Sequence, residues 1–184
     1  MNAPEAEPPP TPVEDVFNFC PNCGTASEIT GAVPFRCGSC HYANFFGPVA
    51  AVGGLIVNDD NELLMVRRAR NPGLGLWGLP GGFVDRDETV EQAMAREILE
   101  ETSLVMTDCE FLSSGPNLYN YRGVVAPVLD IFLTCNVADR EQIKLEPSEL
   151  DHFEWLRPTP SHIANMAFES NKKAVQHWLD LSSS

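Results

Sequence analysis

The chain has 184 residues, 43% of them hydrophobic, and its 26 Asp and Glu against 12 Lys and Arg give a formal charge of −14. That length and apolar content suffice for one ordinary core and a small satellite module. The charge argues against a non-specific grip on nucleic acid, which is built on Lys and Arg contacts to phosphate, yet leaves small phosphorylated substrates open because a bound metal ion supplies positive charge locally.

No stretch is apolar over the length of a membrane span, and the start Met1-Asn2-Ala3-Pro4 carries neither a basic nor an apolar leader region. The expectation is a cytoplasmic protein without a membrane partner. Residues 1–15 are rich in Pro, Glu and Ala and read as a disordered tail, with too little apolar mass to fold. A docking role for Pro8-Pro9-Pro10 is the alternative.

Residues 16–47 form the next module. Cys20 and Cys23, then Cys37 and Cys40, are two Cys-x-x-Cys pairs separated by thirteen residues. This spacing reads as a zinc ribbon, two knuckles giving four thiolates to one tetrahedral Zn²⁺; disulfides or a redox pair are the competing reading. Four Cys close a structural site, which leaves His41 as a neighbour. The span 19–46 holds one Arg and no Lys, a poor nucleic-acid surface. Docking to protein and a homodimer stay open. Tyr42, Phe45 and Phe46 are expected to pack the ribbon on the main domain, with contact to a bound base as the alternative.

The main domain is assigned to residues 48–184. The β-rich runs 49–57 and 62–67, separated by Asn58-Asp59-Asp60-Asn61, predict a hairpin. Arg67, Arg68 and Arg70 follow, facing substrate phosphates or forming an exposed cluster. Residues 71–75 are a loop. Trp77 either stacks on a base or anchors a loop. Pro80-Gly81-Gly82 is a turn, and Thr89 with Gln92 is a capping box that starts a helix near Val90. On that helix Glu97, Glu100 and Glu101 share a stripe, with Ala95, Ile98 and Leu99 as the expected buried face. Glu97 and Glu101 repel at i,i+4 spacing. A hard divalent cation, Mg²⁺ or Mn²⁺, would turn that repulsion into ligation; a solvated acidic face is the alternative. Beyond the helix, the pattern predicts a strand at 104–113, a loop at 115–123, a strand at 124–137 with Pro127 at an edge or bulge, a loop at 139–150, a strand at 152–156, and helices at 161–168 and 171–181. Cys109 and Cys135 read as buried small hydrophobes.

The stretch from Gly82 to Leu104 carries a longer pattern. Gly82 is followed by five residues, Glu88, seven residues, then Arg96-Glu97-Ile98-Leu99-Glu100-Glu101-Thr102-Ser103-Leu104. This resembles the Nudix box at every fixed position except one, where Ser103 replaces the final Gly. The resemblance implies an α/β/α sandwich with a mixed sheet over residues 49–181, preceded by the zinc ribbon. It implies divalent-metal-dependent hydrolysis of a diphosphate bond in a nucleoside diphosphate derivative, by water attack on phosphorus. Glu97, Glu100 and Glu101 would ligate the metal. Arg96 would hold the carboxylates through an ion pair with Glu88, and Gly82 would let the backbone meet metal or substrate. At Ser103 a required positive φ would bring backbone strain. The general base is Glu97 or Glu101, or a later-loop glutamate, Glu146 or Glu149.

A ribbon before a Nudix domain is similar to NADH pyrophosphatases and to FAD- and ADP-ribose-cleaving relatives. The NADH array Ser-Gln-Pro-Trp-Pro-Phe is absent, and residues 114–121 read Ser-Gly-Pro-Asn-Leu-Tyr-Asn-Tyr instead. The expected substrate is therefore ADP-ribose or a related dinucleotide, with Trp77, Arg67 and Tyr119 as candidate contacts. The alternatives are a non-catalytic nucleotide-sensing regulator, and a diadenosine polyphosphate or nucleoside triphosphate pyrophosphatase.

Overall fold

The computed structural model describes residues 9–182. Two compact units emerge, one from the segment ending at Pro48 together with Leu118–Pro127, the other from Val49–Asn117 and the segment that starts at Val128. In the first, β1 (Thr11–Pro12) is followed by a 3₁₀ turn at Val13–Val16, and β2 (Phe35–Arg36) pairs antiparallel with β3 (Ala43–Asn44). Cys20, Phe35 and Cys37 are buried at its centre, with Phe17, Cys40, Tyr42 and Phe46 packed on them. The Phe17 and Phe46 rings meet edge-on at 4.6 Å.

Two expectations change here. Tyr42 and Phe46, read as the packing surface toward the main domain, build the module's own core, while Phe45 is 67% exposed. A module this small has few aliphatic residues, so aromatic rings supply its buried area. Of the expected disordered tail, residues 1–8 lie outside the described residues. From Thr11 the chain is ordered, with Thr11 and Pro12 in parallel register with Val124 and Val125 and the Thr11 amide donating to Gly123 O at 2.8 Å. This segment is held by backbone pairing, which composition does not reveal.

The second unit contains β4 (Val49–Ile56), β5 (Leu63–Arg68), β6 (Trp77–Gly78), α1 (Val90–Thr102), β7 (Met106–Tyr121), β8 (Val124–Val137), β9 (Leu150–Leu156), α2 (Pro160–Ala164) and α3 (Glu169–Leu181), the far ends of β7 and β8 reaching into the first unit's segment. β4 pairs in parallel with β8, from Val49 opposite Val128 to Ile56 opposite Cys135, and β7 lies along β8. β5 is central in a second sheet, antiparallel to β6 and β9.

The predicted hairpin of β4 and β5 is therefore corrected. The turn exists, with Asn58 N donating to Glu62 O, but the strands share one bridge, Val57 to Leu63, and enter different sheets. Both edges of β4 are taken. β8 holds one; on the other, Val52 N donates to Gly82 O, Gly54 N to Pro80 O, and Val84 N to Ala50 O. The predicted loop at 115–123 is also corrected, since β7 continues to Tyr121. Only Arg122 and Gly123 remain as a turn, both with positive φ (51° and 86°), the backbone a two-residue hairpin turn demands. Pairing along β8 overrides the loop-like Gly, Pro and Asn. Pro127 falls between the β8 residues in register with β1 and those in register with β4, where its missing N–H goes unneeded.

Strand alternation sorts the core. Val52, Ile56, Leu64, Val66, Leu133 and Cys135 face α1 through Ala93, Met94 and Ile98. Leu55, Leu63, Met65 and Phe132 face α3 through Ala174, Val175 and Trp178. The result is a mixed α/β/α sandwich. Among the described residues, no helix is long and apolar enough to cross a membrane.

Candidate active site and cysteine cluster

The helix carrying the acids starts where its sequence says. Thr89 Oγ1 accepts from Gln92 N and Gln92 Oε1 accepts from Thr89 N, closing the capping box and fixing the first turn of α1. The buried face differs from the expected one. It is centred on Ala93, Met94 and Ile98 and takes in Glu101 and Thr102, whereas Leu99 is 52% exposed. Leu99 sits about 100° around the helix from Ile98, while Met94 and Glu101 flank Ile98 on its own side. One acid is thereby drawn inward: Glu101 is only 5% exposed.

The loop stitched to β4 meets these acids. Gly81 N donates to Glu101 Oε2 at 2.9 Å. Gly81 has φ of 150°, and a side chain there would strike the β4 backbone at Val52 and Gly53. At Gly82 a β-carbon would strike the Glu97 carboxylate. Gly82 thus makes room for a carboxylate, a more specific role than close backbone approach in general. Gly81, which the sequence reading passed over as part of a turn, is the residue that supplies the N–H.

Arg96 organises the rest. Its Nε and Nη2 donate to the two oxygens of Glu88 at 2.8 and 2.9 Å, its Nη1 to Glu97 Oε1 at 2.7 Å and Glu100 Oε2 at 3.2 Å, and its Nη2 to Phe83 O at 3.0 Å. A guanidinium has five N–H groups, and each has a partner here. Hydrogen bonds from Arg96 hold Glu88 below the usual carboxylate range. Burial pushes Glu97 upward despite Arg96. Burial, with the charges of Glu97 and Glu149, pushes Glu101 up to about 8 against the Gly81 N–H and Arg68. Carboxylates crowded so that ionisation is costly form a donor set that suits a hard divalent cation. Ser103, in place of the family's glycine, ends the helix in the left-handed region at φ 61°, with its hydroxyl donating to Lys144 O at 3.1 Å.

The loop glutamates separate. Glu146 is turned to Ser148, whose hydroxyl and amide lower it. Glu149 acts electrostatically on both Glu97 and Glu101 while its carboxylate accepts from Arg70 Nη2 at 2.7 Å. Of the arginines, Arg68 is the one coupled to Glu101, its Nε donating to Pro72 O at 2.7 Å and its guanidinium 5.0 Å from the centre of the Phe168 ring. Alternation along β5 could have found it, since Arg68 follows Leu64 and Val66, which face α1, at intervals of two. Arg67 pairs with Asp151 at 2.7 Å instead. Trp77, opposite Arg67 in register, packs near His152 and His162 on the α3-side core and anchors its loop through Asn165 and Ala167. Tyr119 is half-buried in the segment of the first unit. The contacts described for Arg67 and Trp77 are thus with Asp151, His152 and His162 rather than with the glutamates.

In the first unit, the Sγ atoms of Cys20, Cys23, Cys37 and Cys40 all lie within 4.8 Å of one another. Cys20 and Cys40 are 3.6 Å apart, Cys23 and Cys37 3.7 Å. Tetrahedral thiolate ligation at about 2.3 Å places sulfurs roughly 3.8 Å apart, so the cluster has the dimensions of such a centre. His41 has φ of 62° and donates its amide to Cys37 O, a knuckle position outside the sulfur cluster. Cys135 is buried in the α1-side core, as expected of a small hydrophobe, while Cys109 packs on that core only half-buried.

Comparison with known proteins adds four findings. A family description, the NUDIX domain, matches residues 47–178. An ADP-ribose pyrophosphatase of Methanocaldococcus jannaschii is 48% identical over 64 residues, 35% of this chain and 37% of the relative. The NAD-capped RNA hydrolase NudC of Vibrio cholerae is 29% identical over 147 residues, 78% of this chain and 50% of the relative. The chain thus spans half or less of these relatives' length. Among solved structures, the NUDIX domain of Shewanella oneidensis NrtR, complexed with ADP ribose, superposes with a TM-score of 0.59 at 23% identity, covering 74% of this chain and 89% of that one.

Proposed function

Because the chain belongs to the Nudix family, we propose that it is a divalent-metal-dependent pyrophosphohydrolase acting on a nucleoside diphosphate derivative, with ADP-ribose or a related dinucleotide as substrate. The observation that carries this reading is the single helix face on which Glu97, Glu100 and Glu101 are held by Arg96 and the Gly81 amide.

Glu97, Glu100 and Glu101 would hold Mg²⁺ or Mn²⁺, which when bound neutralises the diphosphate and lowers the pKa of a coordinated water. Arg96 fixes the orientation of Glu97 and Glu100, so little reorganisation accompanies charge development at phosphorus. The Gly81 N–H orients Glu101. Glu149 is the loop glutamate best placed to take a proton from the attacking water, because its charge is felt at both Glu97 and Glu101. The four cysteines would hold a structural Zn²⁺ with no open position for chemistry. ADP-ribose is favoured over NADH because the NADH array is replaced at residues 114–121, and because the M. jannaschii relative bears that activity in its name.

The test is a hydrolysis panel with Mg²⁺ or Mn²⁺ over ADP-ribose, NADH, NAD⁺, FAD, diadenosine polyphosphates and nucleoside triphosphates, with product identification. AMP released from ADP-ribose is the expected result. Silence across the panel in a folded protein would overturn the hydrolytic reading and favour a nucleotide sensor.

A further inference from the structure

On the α3 side of the sandwich, a cavity of about 260 Å³ opens between the Ser113–Pro116 stretch of β7 and α3, with Phe132, Ser170, Lys173 and His177 among its lining. Its volume lies below the roughly 300–1,000 Å³ of sites for drug-sized ligands, and suits one heterocycle better than a whole dinucleotide. The chemistry of its deepest polar group is unusually constrained. Ser170 is 3% exposed, and its hydroxyl proton is given to Asp130 Oδ2, itself 7% exposed. Asn117 also hydrogen-bonds the Asp130 carboxylate. A serine hydroxyl has one proton and two acceptor positions. With the proton committed to a buried carboxylate, Ser170 can only accept from a ligand. Lys173, on the same helix, can only donate.

The cavity is also close to the glutamates through one glycine. The Phe132 ring packs where a β-carbon of Gly53 would be, and a β-carbon on Gly81, whose amide donates to Glu101, would lie 3.0 Å from the α-carbon of the same Gly53. The cavity and the loop that holds Glu101 therefore meet at the same residue of β4.

We infer that this cavity binds the nucleobase of the substrate and selects a purine bearing a 6-amino group, adenine rather than hypoxanthine or guanine, through a Ser170 hydroxyl that Asp130 holds as a pure acceptor. The inference rests on the nucleotide-hydrolase reading above. An adenine 6-amino group donates to Ser170 Oγ, while a ring nitrogen accepts from Lys173. A 6-oxo base presents an acceptor to an acceptor and leaves both without a proton between them, a mismatch that binding sites discriminate against strongly. Ser170 is the contacting residue; Asp130 is a positioning residue.

The experiment uses the full chain and two probes that differ at purine position 6, AMP and IMP, titrated calorimetrically, in parallel with hydrolysis of ADP-ribose and its hypoxanthine analogue. AMP should bind about tenfold or more tightly than IMP. Ser170→Ala should erase that ratio. Asp130→Asn, nearly isosteric, frees the serine proton when its amide faces Ser170, and should shrink or invert the ratio, which a merely structural role would not do. Equal binding of AMP and IMP, binding of neither, or an unchanged ratio in Ser170→Ala would overturn the inference. Hydrolysis of both substrates without base preference would do so while leaving the hydrolase reading intact. Selective AMP binding without hydrolysis of any substrate would do the reverse.

Discussion

The cysteine cluster and the glutamate cluster present metal-seeking side chains in opposite ways. Four sulfurs already lie within 4.8 Å of one another, and among the described residues no other group of three or more His, Cys, Asp or Glu converges so closely. The glutamates are spread along one turn of α1, two of them held by Arg96 and the third by a backbone amide. A closed tetrahedral set leaves no position for substrate, as a structural centre requires. Carboxylates held separately by the protein keep room for phosphate oxygens and water. The sharpest test of this contrast is to remove one ligand from each. Glu100→Gln and Glu101→Gln should lower Mg²⁺-dependent release of AMP from ADP-ribose by about 100- to 1,000-fold, with unchanged circular dichroism. Turnover near wild type would place the metal elsewhere. Cys37→Ser should instead strip amide exchange protection from the span 17–46 and lower the zinc content from about one per chain, while the chemical step persists.

Arg96 provides a smaller test of the same contrast. Lysine keeps the charge but offers three donors from a point, where five from a planar fork are in use. Arg96→Lys should raise the Mg²⁺ concentration needed for half-maximal activity by about 10- to 100-fold, as for other residues that orient ligands without touching metal. An unchanged metal requirement would mean that the glutamates orient themselves.

The contrast also separates what the sequence disclosed from what it hid. The knuckle cysteines, the Thr89–Gln92 box and the Arg96–Glu88 pair lie close in the chain, and their partners follow from spacing. Ser103 was legible in the same way, because a helix end that wants glycine imposes positive φ on any occupant. The misread features all depended on distant partners. β4 and β5 have the pattern and turn of a hairpin, but β8 and the 80–84 loop occupy both edges of β4. Leu99 is apolar yet exposed and Glu101 is acidic yet buried, because Gly81, twenty residues away in sequence, pairs with the glutamate. Arg67, a candidate substrate contact, pairs with Asp151 of β9, a partner 84 residues away. The Asp130–Ser170 pair joins residues forty apart, which no local pattern reports.

Asp130 allows a test by pH. Burial raises it above the ordinary aspartate value, against the hydrogen bonds from Ser170 and Asn117. A group raised on folding binds its proton more tightly in the native state, so its contribution to stability is greatest in acid and declines as pH rises through the native pKa. An asparagine side chain at this position does not titrate. The difference in melting temperature, Asp130→Asn minus wild type, should therefore rise between about pH 4 and pH 7. A flat or falling difference would show that the two hydrogen bonds outweigh desolvation.

The smallest expected effect is at Ser103, and it distinguishes strain from bonding. A non-glycine residue in the left-handed region costs about 1 kcal/mol. Glycine removes that cost but loses about 0.4–1 kcal/mol through a freer unfolded chain, and it forfeits the exposed bond to Lys144 O. Ser103→Gly should thus gain no more than a few tenths of a kcal/mol. Ser103→Ala keeps the backbone cost and loses the bond, so it should fall below wild type by about 0.5 kcal/mol. The expected order of thermal stability is Gly, Ser, Ala. Serine at the top would mean that its bond to Lys144 outweighs the strain, and Ala equal to Ser would mean that the bond contributes nothing and the left-handed backbone alone distinguishes this position from the family's glycine.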